Sequence, residues 1–188
     1  IREKAAQKVY SDIGRVTKKD NKKTIALVGC VAQAENNEIF KKNKNVDIVL
    51  GPQSYHLLPK MINAYKKNQE KKINTEFIIN EKFDFIYEDK SPKGVSSYVT
   101  IQEGCDKFCA FCVVPFTRGP EYSRSIKSII DESKSLMDRG SKEIVLLGQN
   151  VNAYNYKDKK NIVHNISKLI EEVSKLDNIK RIRYTTSH

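Results

Sequence analysis

Apolar positions along this chain follow two rhythms, and each predicts a different kind of element. Ile1, Ala5, Val9 and Ile13 recur at helical spacing, with Gly14 as the stop, so "IREKAAQKVYSDIG" predicts an opening helix. "TIALVGC" is a continuous apolar run that predicts a buried strand ending at Gly29 and Cys30. A helix from Gln33 to Lys42, a second buried strand "VDIVLG" and a helical "PQSYHLLPKMINAY", interrupted at Pro59, follow. Strands buried along their whole length and alternating with helices predict an open parallel sheet over residues 1–67. From 68 to 90 the pattern weakens into charge and short apolar runs, with one strand at "TEFII" and "KSPKG" as punctuation, which reads as a linker.

A second strand–helix series occupies 91–188. "VSSYVTI" predicts a strand running into a cysteine-rich loop. "SIKSIIDESKSLMDRG" puts Ile126, Ile129, Ile130, Leu136 and Met137 on one helical side, with Ser125 as N-cap and Gly140 as stop. The strand "EIVLL" and the loop "GQNVNAYNYKDKK" precede another helix. Its stripe is Ile162, Val163, Ile166, Leu169, Ile170, Val173 and Leu176. "RIRYTT" predicts a last strand leading to His188. The fold class is therefore α/β throughout. Both ends fall inside an element, so the expectation is a piece of a longer protein.

Composition narrows the class. Of 188 residues, 39% are hydrophobic and 30% charged, as in a soluble globular chain. No run reaches the length of a membrane span and no secretory prefix is present, so the expectation is a cytoplasmic protein with no membrane partner. The net charge of +11 allows a polyanionic partner such as nucleic acid, but "KKDNKK", "KKNKN", "YKKNQEKK" and "YKDKK" lie where solvated loops would also put them.

Four cysteines without a secretory prefix argue against a disulfide framework. Cys105, Cys109 and Cys112 are spaced C-x3-C-x2-C, with Cys30 far upstream. Three thiolates suit three irons of a [4Fe–4S] cube with the fourth iron open. A zinc-bound nucleic-acid module using Cys30 as fourth ligand, and plain packing, are the alternatives. Arg118 in "FTRG" has the reach and charge to meet a carboxylate or phosphate. Gln149 and Asn150 follow a strand end, where amides meet polar ligands or cap the loop. His56, His164 and His188 lack partners at ligand spacing, and Ser11 and the other serines lack a nucleophile-elbow context.

"GCDKFCAFC", with Phe111 at the aromatic position, resembles the signature of radical S-adenosylmethionine (SAM) enzymes. The wider "GCDKFCAFCVVPFTRGPEYSR", together with "LLGQNVNAY", "REKAAQKV" and "GCVAQ", resembles the methylthiotransferases in order along nearly the whole chain. The resemblance implies the rest of an N-terminal open-sheet domain followed by the first half of a partial (βα)6 barrel. It implies that Cys105, Cys109 and Cys112 hold a SAM-binding [4Fe–4S] cluster, and that Cys30 belongs to an auxiliary [4Fe–4S] cluster whose other ligands lie outside this chain. Phe111, Arg118, Gln149 and Asn150 would lie near SAM. "GQN" replaces the Gly-Gly-Glu that many radical-SAM enzymes use for the methionine amine. Implied too are a tRNA partner, a flavodoxin- or ferredoxin-like electron donor and a monomer. The implied reaction is radical insertion of sulfur and methyl at C2 of N6-dimethylallyladenosine beside the anticodon. Relatives in the family act on threonylcarbamoyl-adenosine in tRNA or on a ribosomal protein. The expectation is that the longer parent is the enzyme and that this stretch alone is inactive.

Overall fold

Two short parallel sheets organise the chain, each three strands wide. The computed structural model describes residues 3–20, 22–77, 94–185 and 187. Contacts divide the chain into two units: Ile1–Phe85 with Phe108–Arg118, and Ile86–Lys107 with Gly119–His188. Ile1, most of the 68–90 segment, the last two residues of "TEFII" and His188 lie outside the described residues.

In the first unit, helix α1 (Glu3–Lys19) runs straight through Gly14 rather than stopping there. A mid-helix glycine costs only about 1 kcal/mol relative to alanine. Ile13 is buried, and Val9 and Tyr10 pack on the same core, which holds the helix past that point. Strand β1 (Ala26–Val28) leads into α2 (Cys30–Glu35) and α3 (Glu38–Lys42). The single helix expected from Gln33 to Lys42 is thus broken, at Asn36, whose φ of 48° is left-handed. Asparagine takes a positive φ more readily than most residues. Strand β2 (Ile48–Leu50) is followed by α4 (Leu58–Asn68), where Pro59 sits in the first turn. There its missing N–H leaves nothing unsatisfied, so it starts the helix instead of interrupting it.

Strand β3 (Lys72–Asn74) pairs in parallel with β2, with Ile48 opposite Lys72. The sheet's third strand therefore lies within the segment read as a linker, just before "TEFII". Its lysine and asparagine hide a strand whose one apolar residue, Ile73, faces the core. The order is β1-β2-β3, and β2, buried at all three positions, is the middle strand.

In the second unit, β4 (Ser96–Thr100) continues into β5 (Gln102–Glu103). Helix α5 (Val114–Arg118) belongs to the first unit. Then come β6 (Tyr122–Ser123), α6 (Ile126–Asp138) and β7 (Glu143–Leu147). The Ser125 hydroxyl accepts from the Ser128 N–H at 3.2 Å, and Gly140 takes φ 110° just past the end of α6, so both predicted helix ends hold. Next are β8 (Asn155–Lys157), β9 (Val163–Asn165), α7 (Ile166–Ser174) and β10 (Arg181–Tyr184).

The long helical stripe from Ile162 is shorter in the structure. Ile162 and Val163 are exposed, and α7 begins only at Ile166, where the Asn165 side chain accepts from the Lys168 N–H at 3.0 Å. Upstream, the Asp158 carboxylate takes the N–H groups of Lys160 and Ile162 at 2.8 and 2.9 Å, bending the chain into the β8–β9 hairpin. His164 lies in β9, and its ring nitrogen is 2.9 Å from Asp158. The parallel sheet has order β10-β7-β4, with β7 in the middle. Its core joins Val99, Ile129, Ile144, Leu146, Leu169 and Val173.

Candidate functional site

In the second unit, β5 ends at Gly104, whose φ is 82°. A Cβ built there would lie 2.0 Å from the Pro120 carbonyl oxygen and 2.5 Å from that of Gly119, so no side chain fits. Cys105 follows, buried, with its N–H donating to the Gly119 carbonyl at 3.2 Å. The chain on either side of this turn is tied back by β6, which pairs with β5 through Gln102–Ser123 and Glu103–Tyr122.

Two glutamines hold the Gly104 peptide groups. The Gly104 N–H donates to Gln149 Oε1 at 2.8 Å, and its carbonyl accepts from Gln102 Nε2 at 2.7 Å. Gln102 is fully buried, and its Oε1 accepts the N–H groups of Gln149 at 2.9 Å and Asn150 at 3.1 Å. Gly148 leaves the room this requires, since a Cβ there would come within 2.7 Å of Gln102 Oε1. Gln149 and Asn150, singled out from sequence, are thus joined to the cysteine turn by a residue that was not singled out. The only cue to Gln102 was a polar residue directly after the apolar end of a strand. Asn150 is itself buried, and its Oδ1 has no partner among the described residues.

Arg124 braces the end of β4, a few residues before this turn. It is 4% exposed, and its guanidinium donates to the Thr100 carbonyl at 2.8 Å, to Glu132 at 2.5 Å and to the Ser128 hydroxyl at 2.8 Å. The buried Tyr154 hydroxyl donates to the Arg124 carbonyl at 2.6 Å. Burial pushes the Tyr154 phenol well above its ordinary value, so it stays a neutral donor across the physiological range.

In the first unit, Gly29 at φ 99° delivers Cys30 to the first position of α2, and α2 packs against α5. The Cys112 N–H donates to the Cys109 carbonyl at 2.9 Å, so these two cysteines lie on one turn, both partly buried. Phe111 is 95% exposed, while Phe108 meets Phe116 edge-on at 6.1 Å between ring centroids. Arg118 ends α5, and its carbonyl accepts from Gln53 Nε2 at 2.7 Å. No disulfide joins any of the four cysteines. Among the described residues no three Cys, His, Asp or Glu side chains are gathered closely enough to hold a metal ion. The donor chemistry nonetheless suits an iron–sulfur cluster, whose usual ligands are soft cysteine thiolates.

Residues 1–51 match the family model described as "Uncharacterized protein family UPF0004", and residues 99–188 match the "Radical SAM superfamily". Over its entire length the chain is 53% identical to the tRNA-2-methylthio-N(6)-dimethylallyladenosine synthase of Pelagibacter ubique. It is 54% identical to the synthase of the same name from Anaplasma phagocytophilum and 47% to that of Rickettsia bellii. The chain is similar to these synthases over its whole length, and its second half carries the radical-SAM match. It spans 43%, 42% and 44% of the length of those three relatives. The cysteine turn, the 148–150 turn and the arginine brace all fall inside the radical-SAM match, and Cys30 inside the other. Among the described residues no helix is long and apolar enough to cross a membrane.

Proposed function

We propose that this chain is the cluster-bearing part of an enzyme that adds sulfur and methyl to C2 of N6-dimethylallyladenosine in tRNA. The observation that carries this reading is identity of 53–54% over the whole chain to synthases of that name, through both matched segments. Cys105, Cys109 and Cys112 would hold a [4Fe–4S] cluster, and Cys30 would serve a second cluster together with ligands outside this chain. The chemistry supplied when the first cluster is bound is one-electron cleavage of SAM.

The chain's own residues contribute position and environment. The Gly104 turn presents Cys105 from a buried backbone, and the Cys109–Cys112 turn spaces two further thiols. Asn150 Oδ1 is a buried acceptor suited to an ammonium or hydroxyl of a ligand, in keeping with a role for Gln149 and Asn150 near SAM. Arg118 offers charge for a carboxylate or phosphate, and Phe111 an exposed aromatic face for a base. The parallel order β10-β7-β4 is what the opening strands of a partial (βα)6 barrel require. The net charge of +11 suits a tRNA partner. A flavodoxin- or ferredoxin-like protein would supply electrons to a cytoplasmic monomer.

The test is anaerobic reconstitution of the longer parent followed by iron, sulfide and zinc analysis, then assay of SAM cleavage and mass spectrometry of tRNA. Iron and sulfide near four each per cluster, with a methylthio gain on dimethylallyl-adenosine, is the expected result. Stoichiometric zinc without iron defeats the reading, and a gain on threonylcarbamoyl-adenosine or on a ribosomal protein moves the substrate within the family. Cys109→Ala in the longer parent is expected to abolish SAM cleavage.

A further inference from the structure

Both hydrogen-bonding groups of Gly104 are held by side chains rather than by a neighbouring strand. Its N–H goes to Gln149 and its carbonyl to Gln102, while Gln102 also takes the N–H groups of Gln149 and Asn150. The two glutamines therefore close a loop of hydrogen bonds between the turn before Cys105 and the turn after β7. No side chain can replace Gly104 here, because carbonyl oxygens of Gly119 and Pro120 fill the space where a Cβ would be. The Cys105 N–H is fixed to the Gly119 carbonyl as well. Each polar group flanking the Cys105 α-carbon on its N-terminal side thus has a defined partner, and two of the three ties run through the glutamine pair.

We propose that Gln102 and Gln149 are positioning residues for Cys105. They fix the α-carbon from which its thiolate reaches iron and couple that position to the Gly148–Asn150 turn. The inference rests on the proposed role of Cys105 as a cluster ligand. Groups that orient a ligand without touching the metal commonly change metal retention when removed.

The test uses the full chain, reconstituted anaerobically with iron and sulfide, in three variants. Gln149→Met keeps length and volume but loses the acceptor for the Gly104 N–H. Gln149→Glu keeps that acceptor. Gln102→Glu keeps the acceptor for Gln149 and Asn150 but loses the donor to the Gly104 carbonyl. Release of iron to a chelator is expected to be about tenfold faster in Gln149→Met and Gln102→Glu, and close to wild type in Gln149→Glu. The electron paramagnetic resonance signal of the reduced cluster is expected to shift in the two fast variants and to return in the rescuing one. The metal-free Gln149→Met chain is expected to melt within about 4 °C of wild type. Unchanged iron release in Gln149→Met, or failure of Gln149→Glu to rescue, overturns the positioning role. Iron loss accompanied by a collapsed melting midpoint also overturns it, in favour of a purely structural one. A wild-type chain that takes up no iron overturns the cluster reading itself, a result distinct from equal retention by wild type and variant.

Discussion

The chain makes the same local move twice: a strand ends, a glycine with positive φ follows, and a cysteine comes next. Gly29 (φ 99°) precedes Cys30 in the first unit, and Gly104 (φ 82°) precedes Cys105 in the second. What surrounds the two glycines differs. Beside Gly29, the nearest atom to a built Cβ is the Tyr55 hydroxyl at 3.2 Å, the tip of a side chain. Beside Gly104 it is backbone oxygen at 2.0 Å, with glutamine amides on the N–H and the carbonyl. Cys30 then enters a helix directly, while Cys105 enters a loop with no regular element until α5. A helix keeps its first residue in place through its own hydrogen bonds. A loop has no such repeating set, so the second turn needs ties from side chains and from β6.

The sharpest way to break the comparison is Gly104→Ala. Positive φ and overlap with backbone act together here, and neither Gly119 nor Pro120 can move without disturbing the β5–β6 pair. A loss of about 4 kcal/mol is expected in urea unfolding, together with loss of iron from the reconstituted chain. Gly29→Ala is expected to cost about 2 kcal/mol, because its φ of 99° and ψ of −159° are a glycine-only region but the neighbouring hydroxyl can swing away. Equal losses in the two variants would show that backbone conformation alone sets the penalty and that the crowding around Gly104 is irrelevant.

The same contrast explains what could be read from the sequence. The parallel character of the sheets, the Ser125 cap and the Gly140 stop were all readable. The C-x3-C-x2-C spacing is likewise plain in the sequence, with three cysteines within eight positions. Gln102 was not readable, because a glutamine carries no pattern and its role comes from Gln149, 47 residues away. Neighbours distant in sequence also decided the other differences. α1 passes Gly14 because its apolar face has a core to cover. β3 forms around Ile73 because β2 offers it an edge. The Asp158 turn pre-empts the first part of a helical stripe because a carboxylate can cap N–H groups two and four residues ahead.

A smaller effect is expected at the brace around the second turn. Tyr154→Phe removes the donor to the Arg124 carbonyl and leaves a buried oxygen without that bond. The expected loss is about 1.5 kcal/mol in urea unfolding, with no change in the pH dependence of stability at neutral and acidic pH, since the phenol is neutral in both states below its ordinary, unfolded value. If Tyr154→Phe costs as much as Gly104→Ala, the turn is held mainly from the β6 side rather than by its own geometry.

The smallest expected effect lies on the helix that Cys30 opens. Glu35, at the end of α2, accepts from the Tyr10 hydroxyl of α1 at 2.5 Å and from the Lys42 ammonium at 2.8 Å. Partial burial works to raise the Glu35 carboxyl, but the bonds from Lys42 and Tyr10 outweigh it and hold the carboxyl below its ordinary value. A carboxylate lowered by folding contributes stability that is fully present above its unfolded pKa and is lost as pH falls through the folded one. Glu35→Gln keeps an acceptor for Tyr10 but removes the titrating group. Its cost at pH 7 is expected to be under about 1 kcal/mol, shrinking further as pH falls below the ordinary glutamate range. Urea unfolding at pH 7 and in that acidic window measures both. A constant difference at the two pH values would mean that Glu35 ties α2 to α1 by shape and hydrogen bonding alone. Cys30 would then be held by its own helix, without electrostatic help, in contrast to the side-chain ties that Cys105 depends on.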